Sequence, residues 1–209
     1  MRVDRVYNTS MPETDEFWDF YWEIRLRELE DLGKREAILA VSKLVRNLSE
    51  RPGQAVRLLE LGCGEGQIIG VLVNAHAQVR SIGASCGVDY SLPSIEKCRS
   101  AYPGMSFIHG DFTEPGLMAG LGQFEIVLLV NALHEVFSAA YSTRLGEVDV
   151  PEAKRRVSQT LADAVERLSL GGYLALFDGL EDSIDIQAWV RIRFSHPLAS
   201  PPPLRHLCL

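Results

Sequence analysis

The sequence predicts an α/β fold in which a mostly parallel sheet is flanked by helices. Three observations carry that expectation. From Ala55 onward, short apolar runs alternate with helical stretches, the pattern of stacked β-α units. The run over residues 124–130 is apolar at nearly every position, as a strand buried on both faces requires. A glycine-rich turn, Gly62-Cys63-Gly64-Glu65-Gly66, follows the first apolar run and leads into a helix.

Two helices open the chain. Over residues 14–33, Trp18, Trp22, Leu26, Leu29 and Leu32 recur at helical spacing, and Gly33 supplies a stop. The second helix carries Ile38, Val41, Val45 and Leu48 and ends at Arg51-Pro52-Gly53. Residues 1–53 are therefore expected to form an N-terminal helical extension, and residues 54–209 the α/β domain. The aromatic cluster Phe17-Trp18-Asp19-Phe20-Tyr21-Trp22 has three readings: it packs its helix onto the sheet, it forms a lid over a bound ligand, or it makes a dimer contact.

The first strand is expected over 55–61 and a helix around 68–73. A second strand follows over 85–90. Ser91 reads as the N-cap of the next helix, with Pro93 in its first turn and Pro103-Gly104 beyond its end. Strands are expected again over 105–112 and 124–130, then a loop near 138–150. Asp149 and Glu152 stand at capping-box spacing. Val157, Leu161, Val165 and Leu168 mark one face of the following helix, which Gly171-Gly172 is expected to stop before a fifth strand over 173–177. Val190, Ile192 and Phe194 alternate in the tail, and three prolines at 201–203 make it irregular from about residue 195.

With 209 residues, 46% of them hydrophobic, the chain is long enough for a sizeable core. Twenty-one Lys and Arg stand against 28 Asp and Glu, a net charge of −7, which argues against a face built to neutralise nucleic-acid phosphates. No apolar run approaches the roughly 20 residues of a membrane span, and the N-terminus has no apolar stretch after its charges, so a cytoplasmic protein is expected. Cys63, Cys86, Cys98 and Cys208 show no CxxC spacing, so neither a disulfide framework nor a metal site is expected. The oligomeric state has no sequence signal.

The chemistry concentrates at strand ends. A strand running into closely spaced glycines lets the backbone approach a ligand where any Cβ would clash. The dinucleotide pattern GxGxxG would need glycine at Gln67. This chain has GxGxG, preceded by Glu60, an acid that repels a pyrophosphate and suits an ammonium group. Asp89 ends the second strand, where a carboxylate can accept hydrogen bonds from both ribose hydroxyls. Asp111 follows the third, placed to accept from an exocyclic amine, with Phe112 offering an apolar face.

The motifs LLELGCGEG, GVDYS, HGDF, FEIVLLVNALHEVF and LSLGGYLALFDG, in that order over roughly residues 55–180, resemble those of the class I S-adenosylmethionine-dependent methyltransferases, a Rossmann-like family. The resemblance implies S-adenosylmethionine (SAM) as cofactor. Glu60 and the Gly62, Cys63, Gly64 and Gly66 turn would hold its methionine half. Asp89 would take the ribose hydroxyls with Tyr90 beside them, Asp111 the adenine amine, and Phe112 the adenine pocket. Asn131 would border the reacting methyl. His134 has two readings, a base that takes a proton from the acceptor or a residue packed at the loop's edge. Asp178 likewise either contacts substrate or caps a turn.

An Asn/Asp-Pro-Pro-Tyr/Phe tetrapeptide is absent after the fourth strand, which with the acidic balance favours a small-molecule acceptor. Only 31 residues follow Asp178, and family members usually complete the sheet there with an antiparallel pair. The expectation is therefore an incomplete C-terminal strand pair, in a chain truncated or altered relative to active relatives. A cofactor-binding but inactive partner subunit is the second reading. A nicotinamide-dependent oxidoreductase is the third, opposed by Gln67 and Glu60.

Overall fold

The computed structural model describes residues 32–178, except 52 and 54. The first expected helix up to residue 31, its aromatic cluster, and the tail from Gly179 lie outside the described residues, and with them the lid and the altered C-terminus. The described chain opens with α1 (Leu32–Ser49), β1 (Leu58–Leu61), α2 (Gln67–Ala75), β2 (Cys86–Asp89) and α3 (Leu92–Ala101). It continues through β3 (Ser106–His109), α4 (Pro115–Gly120), β4 (Phe124–Val130) and α5 (Leu133–Ser138). It closes with β5 (Tyr141–Ser142), β6 (Glu147–Val148), α6 (Val150–Glu166) and β7 (Leu168–Phe177).

Five strands form one sheet in the order β3-β2-β1-β4-β7, every neighbouring pair parallel. β5 and β6 form a separate antiparallel pair. Because side chains alternate across a strand, β1 feeds two cores. Leu58 packs with Val45 and Leu48 of α1, Ile69 and Leu72 of α2, and Ile95 of α3. Leu59 and Leu61 pack on the other face with Met118 of α4, Val136 of α5 and Ala164 of α6. β4 divides likewise, Ile126 and Leu128 to the first face, Val127 and Leu129 to the second. Leu58, Leu59, Leu61, Ile126 and Leu128 are fully buried, each worth about 1.5–3 kcal/mol of transfer free energy.

Local signals behave as their chemistry requires at most boundaries. Ser91 accepts from the Ser94 amide at 3.4 Å and caps α3. Asp149 accepts from the Glu152 amide at 3.2 Å and caps α6, but Glu152 turns outward to Arg155 and Arg156 instead of completing the box. Four boundaries differ from expectation. α1 already includes Leu32 and Gly33, so Gly33 is not the stop. α4 lies in a segment for which the sequence predicts no element, and the β5-β6 hairpin lies in one expected to be loop; both are too short to show a period. Leu168 belongs to β7 and not to the helix face, because α6 ends at Glu166. Gly171 and Gly172 therefore lie within the strand, where Gly171 (φ +76°) accommodates the register shift between Phe124 and Ile126 of β4.

Among the described residues no helix is long and apolar enough to cross a membrane. At the N-terminal end of the sheet, Glu125 is buried and accepts from the Arg57 amide (2.7 Å), its Nε (3.2 Å) and its Nη2 (3.1 Å). Removing the guanidinium strands a buried carboxylate. Arg57→Ala is expected to lower unfolding free energy in urea by about 2 kcal/mol, below the full cost of breaking a buried pair because the arginine is one-third exposed.

Candidate active site

β1 pairs with β2 on one side and β4 on the other, so the chain reverses its direction of travel across the sheet there. Such a switch point opens a crevice beyond the C-terminal strand ends. Glu60, Asp89, Asp111, Asn131 and Asp178 all stand at or just beyond the C-terminal ends of the sheet's strands.

The turn after β1 is left-handed at Gly62 (φ +75°), Gly64 (+51°) and Gly66 (+72°). A Cβ on Gly62 would stand 3.0 Å from the Ala132 Cβ, and one on Gly66 would stand 3.0 Å from the Cys98 Sγ and 3.1 Å from the Phe107 ring. Both conformation and space demand glycine. The Gly62 and Cys63 amides donate to the Val88 carbonyl (2.9 and 3.0 Å), and the Gly66 amide donates to Cys63 (2.8 Å).

Two buried carboxylates organise this turn. Asp89 accepts from the Gly64 amide through Oδ2 (2.8 Å) and from the Ser91 amide through Oδ1 (2.9 Å). Burial raises its pKa, against those two hydrogen bonds, which lower it. Glu60 accepts from the Ile69 amide at 3.0 Å, in the first turn of α2, where the preceding Gly66 has no capping side chain. Burial pushes its pKa up to about 8. Capping α2 is a task for Glu60 that sequence reasoning missed, because the partner amide lies nine residues away across the turn.

Cys63 is buried, and its thiol is held protonated by a hydrogen bond with Cys98 and by burial. Its role here is tight packing. Asp111 is exposed and accepts from the Thr113 amide and hydroxyl, both at 2.7 Å. Phe112 is buried against the second core, near Gly62 and beneath the turn. Tyr90 and Leu92 flank Asp89 with 41% and 44% of their surface exposed, so they offer the accessible apolar faces; Leu92 carried no sequence signal of its own. Asn131 leaves β4 left-handed (φ +52°) and its amide donates to the Phe177 carbonyl at 2.7 Å, joining the ends of β4 and β7. His134 then meets Asp178: the backbone amide donates to Oδ2 (3.1 Å), and Nδ1 lies 2.7 Å from Oδ1. His109 bonds the Tyr90 carbonyl at 2.9 Å, a satisfied sheet residue.

The residues present fit SAM: a left-handed glycine turn too closely packed for any Cβ at Gly62 or Gly66 stands beside two buried acids, Glu60 and Asp89, whose chemistry suits an ammonium group and a diol. Among the described residues no cluster of His, Cys, Asp and Glu is arranged to hold a metal ion. A cavity of about 530 Å³ bordered by Ser42, Arg46, His76 and Arg80 lies elsewhere, at the opposite end of the sheet where α1 and α2 finish.

Glu60 makes stability depend on pH. Its folded pKa near 8 lies above the ordinary value of 4.5, so the folded state binds the proton more tightly than the unfolded chain. Its contribution is complete below pH 4.5 and is lost as pH rises toward 8. Relative to Glu60→Gln, the ligand-free wild type is expected to lose about 1.4 kcal/mol per pH unit between pH 5 and 7.5, read by urea denaturation.

Comparison with known proteins agrees with this fold. No curated protein sequence matches the chain. By structure it is similar to CalS10, an amino pentose methyltransferase from Micromonospora echinaspora solved with SAM bound, at 20% identity and TM-score 0.52, covering 77% of this chain and 56% of that one. The sugar N-methyltransferase KedS8 from Streptoalloteichus sp. matches at 18% identity and TM-score 0.55 over 90% of this chain and 62% of its own. The CurJ carbon methyltransferase matches at 16% identity and TM-score 0.58 over 80% and 41%. The chain thus spans well under two-thirds of CalS10 and CurJ, and slightly under that of KedS8. The sequence profile of the family described as "Methyltransferase domain" matches residues 59–175, more than half of the chain. The chain therefore belongs to that family, the class I SAM-dependent methyltransferases, with SAM as cofactor.

Proposed function

We propose that this chain transfers the methyl group of SAM to a small-molecule acceptor. The observation that carries this reading is the pair of buried carboxylates, Glu60 and Asp89, around a left-handed glycine turn at the sheet's switch point. Bound SAM supplies an electrophilic methyl on a sulfonium. The chain binds, aligns and excludes water. Glu60 faces the ammonium group and loses its proton there. The Gly62, Cys63, Gly64 and Gly66 backbone lies along the methionine half. Asp89 accepts from the ribose hydroxyls with Tyr90 beside them. Asp111 accepts from the adenine amine, and Phe112 supports that pocket from below. Asn131 borders the methyl, and His134 takes a proton from the acceptor. The acidic balance of the chain supports a small acceptor over nucleic acid, as does its fold similarity to methyltransferases of an amino pentose and a sugar.

Calorimetric titration with S-adenosylhomocysteine, which carries the same ammonium group and ribose, tests the cofactor site. Wild type is expected to bind, and Asp89→Ala to bind about 100-fold more weakly, the loss of two hydrogen bonds to a charged acceptor. A folded wild type that does not bind would overturn the reading. Binding without turnover over a broad acceptor panel would instead favour a non-catalytic partner subunit. Because ionised Glu60 is the form that pairs with the ammonium, affinity is expected to rise with pH between 6 and 8 in wild type and not in Glu60→Gln. A flat wild-type profile would place the ammonium elsewhere.

A further inference from the structure

We propose that the cavity at the end of the sheet away from the glycine turn is a second ligand site, and that it takes a small molecule carrying a phosphate group. The site shares no residue with the methyl-transfer reading and does not depend on it. Its volume of about 530 Å³ falls within the roughly 300–1,000 Å³ of small-molecule sites. Two stretches of chain form its walls. Ser42, Arg46 and Ser49 stand at i, i+4 and i+7 on one face of α1, and His76, Gln78 and Arg80 belong to the segment between α2 and β2. Tertiary contacts hold the walls together. His76 is buried, and its Nε2 lies 2.7 Å from the Ser42 hydroxyl, which ties the exit of α2 to α1. The Val79 amide donates to the His76 carbonyl at 2.8 Å, and the Arg80 carbonyl accepts from the Val56 amide at 3.1 Å, so the backbone that carries Arg80 is anchored as well.

Charge identifies the ligand. The chain carries a net charge of −7, yet this cavity is lined by two arginines and, among the described residues, by no Asp or Glu. Neither Arg46 nor Arg80 forms an ion pair with a described residue. Arg80 Nη1 reaches only the Gly53 carbonyl, at 3.5 Å. Burial lowers the His76 pKa, and the Arg46 charge lowers it further, so the imidazole senses that guanidinium as a net positive charge. The bland account is that the arginines complement the C-terminal ends of α1 and α2, each worth about half a negative charge. Two whole positive charges exceed two halves, and an end carbonyl of α1 is already served by the Ser49 hydroxyl, which donates to Arg46 at 2.7 Å.

The surplus matches a phosphate ester. Its three terminal oxygens accept from both guanidinium forks, whereas a single arginine already satisfies a carboxylate. The neutral Ser42–His76 pair holds two hydrogens and uses one between its members, so in either tautomer one remains for a further acceptor. The Gln78 amide adds donors on the same wall. Space beyond the phosphate takes the organic remainder of the molecule. The acidic balance of the whole chain disfavours a long polyanion such as RNA at this face.

The test is titration of the full nitrogen-labelled chain with inorganic phosphate, glucose 6-phosphate and glucose, read by amide chemical shifts. Saturable binding of both phosphates and none of glucose is expected, with shifts centred on residues 42–49 and 76–80. Arg46→Gln and Arg80→Gln are each expected to weaken glucose 6-phosphate at least 10-fold. Both side chains are exposed, so the two variants are expected to keep the wild-type urea midpoint. If either fails to fold, the lysine variant at that position is read instead: loss of the fork is expected to weaken binding, and wild-type affinity there would count against the site. A folded wild type that shows no saturation by about 20 mM of either phosphate overturns the proposal. So do shifts confined to the Gly62–Gly66 turn, or affinity that survives both glutamine substitutions. A short RNA that shifts residues 42–49 and 76–80 when glucose 6-phosphate does not would overturn the small-molecule assignment.

Discussion

The Asp89 carboxylate is the contact on which the crevice depends. One oxygen holds the Gly64 amide and the other the Ser91 amide, so a single side chain joins the glycine turn, the end of β2 and the start of α3. The turn needs that restraint because it is left-handed at three positions and packs closely against Ala132, Cys98 and Phe107. Glu60 does the same for α2 by capping its first turn from within the sheet. A carboxylate oxygen has more than one lone pair, so holding backbone amides does not exhaust its capacity for ligand hydroxyls or an ammonium group. The acids that shape the turn are the acids proposed to hold the cofactor.

The two ends of the sheet treat buried charge in opposite ways. At the N-terminal end, Glu125 is matched by the Arg57 amide and guanidinium and acts as a clamp between β1 and β4. At the C-terminal end, burial raises the pKa of both Glu60 and Asp89, and each accepts from backbone amides. That difference is electrostatic. Removing the arginine would strand a buried carboxylate, whereas burial holds the other two acids toward their neutral forms. The histidine-aspartate contact beyond β4 and β7 is a third arrangement, partly exposed and joining the two strand ends.

How much of this was legible follows from the range of each interaction. The α2, α3 and α6 helices, the four strands β1 to β4, the Ser91 and Asp149 caps and the glycine turn are local patterns, and they read correctly. So did the placement of Glu60, Asp89 and Asn131 at strand ends, because the order of β-α units carries each strand's C-terminus to the same edge. The α6-β7 boundary misread because Leu168 continues the helical period of Val157, Leu161 and Val165. Only its pairing with Phe124 across the sheet draws it into the strand. Phe112 is expected from sequence to offer an apolar face to the adenine pocket; only packing shows that its ring is buried in the second core and that Tyr90 and Leu92 are exposed apolar side chains nearby.

Amino-acid order alone was enough for the fold class, the family and the set of strand-end acids, since these depend on periodicity and on short motifs. Tertiary structure supplied what depends on distance. It set the pairing of His134 with Asp178, 44 residues apart, the capping of α2 by Glu60, and the burial that raises the Glu60 pKa. A side chain's partners and its dielectric surroundings are properties of the packed molecule, and no local pattern encodes them.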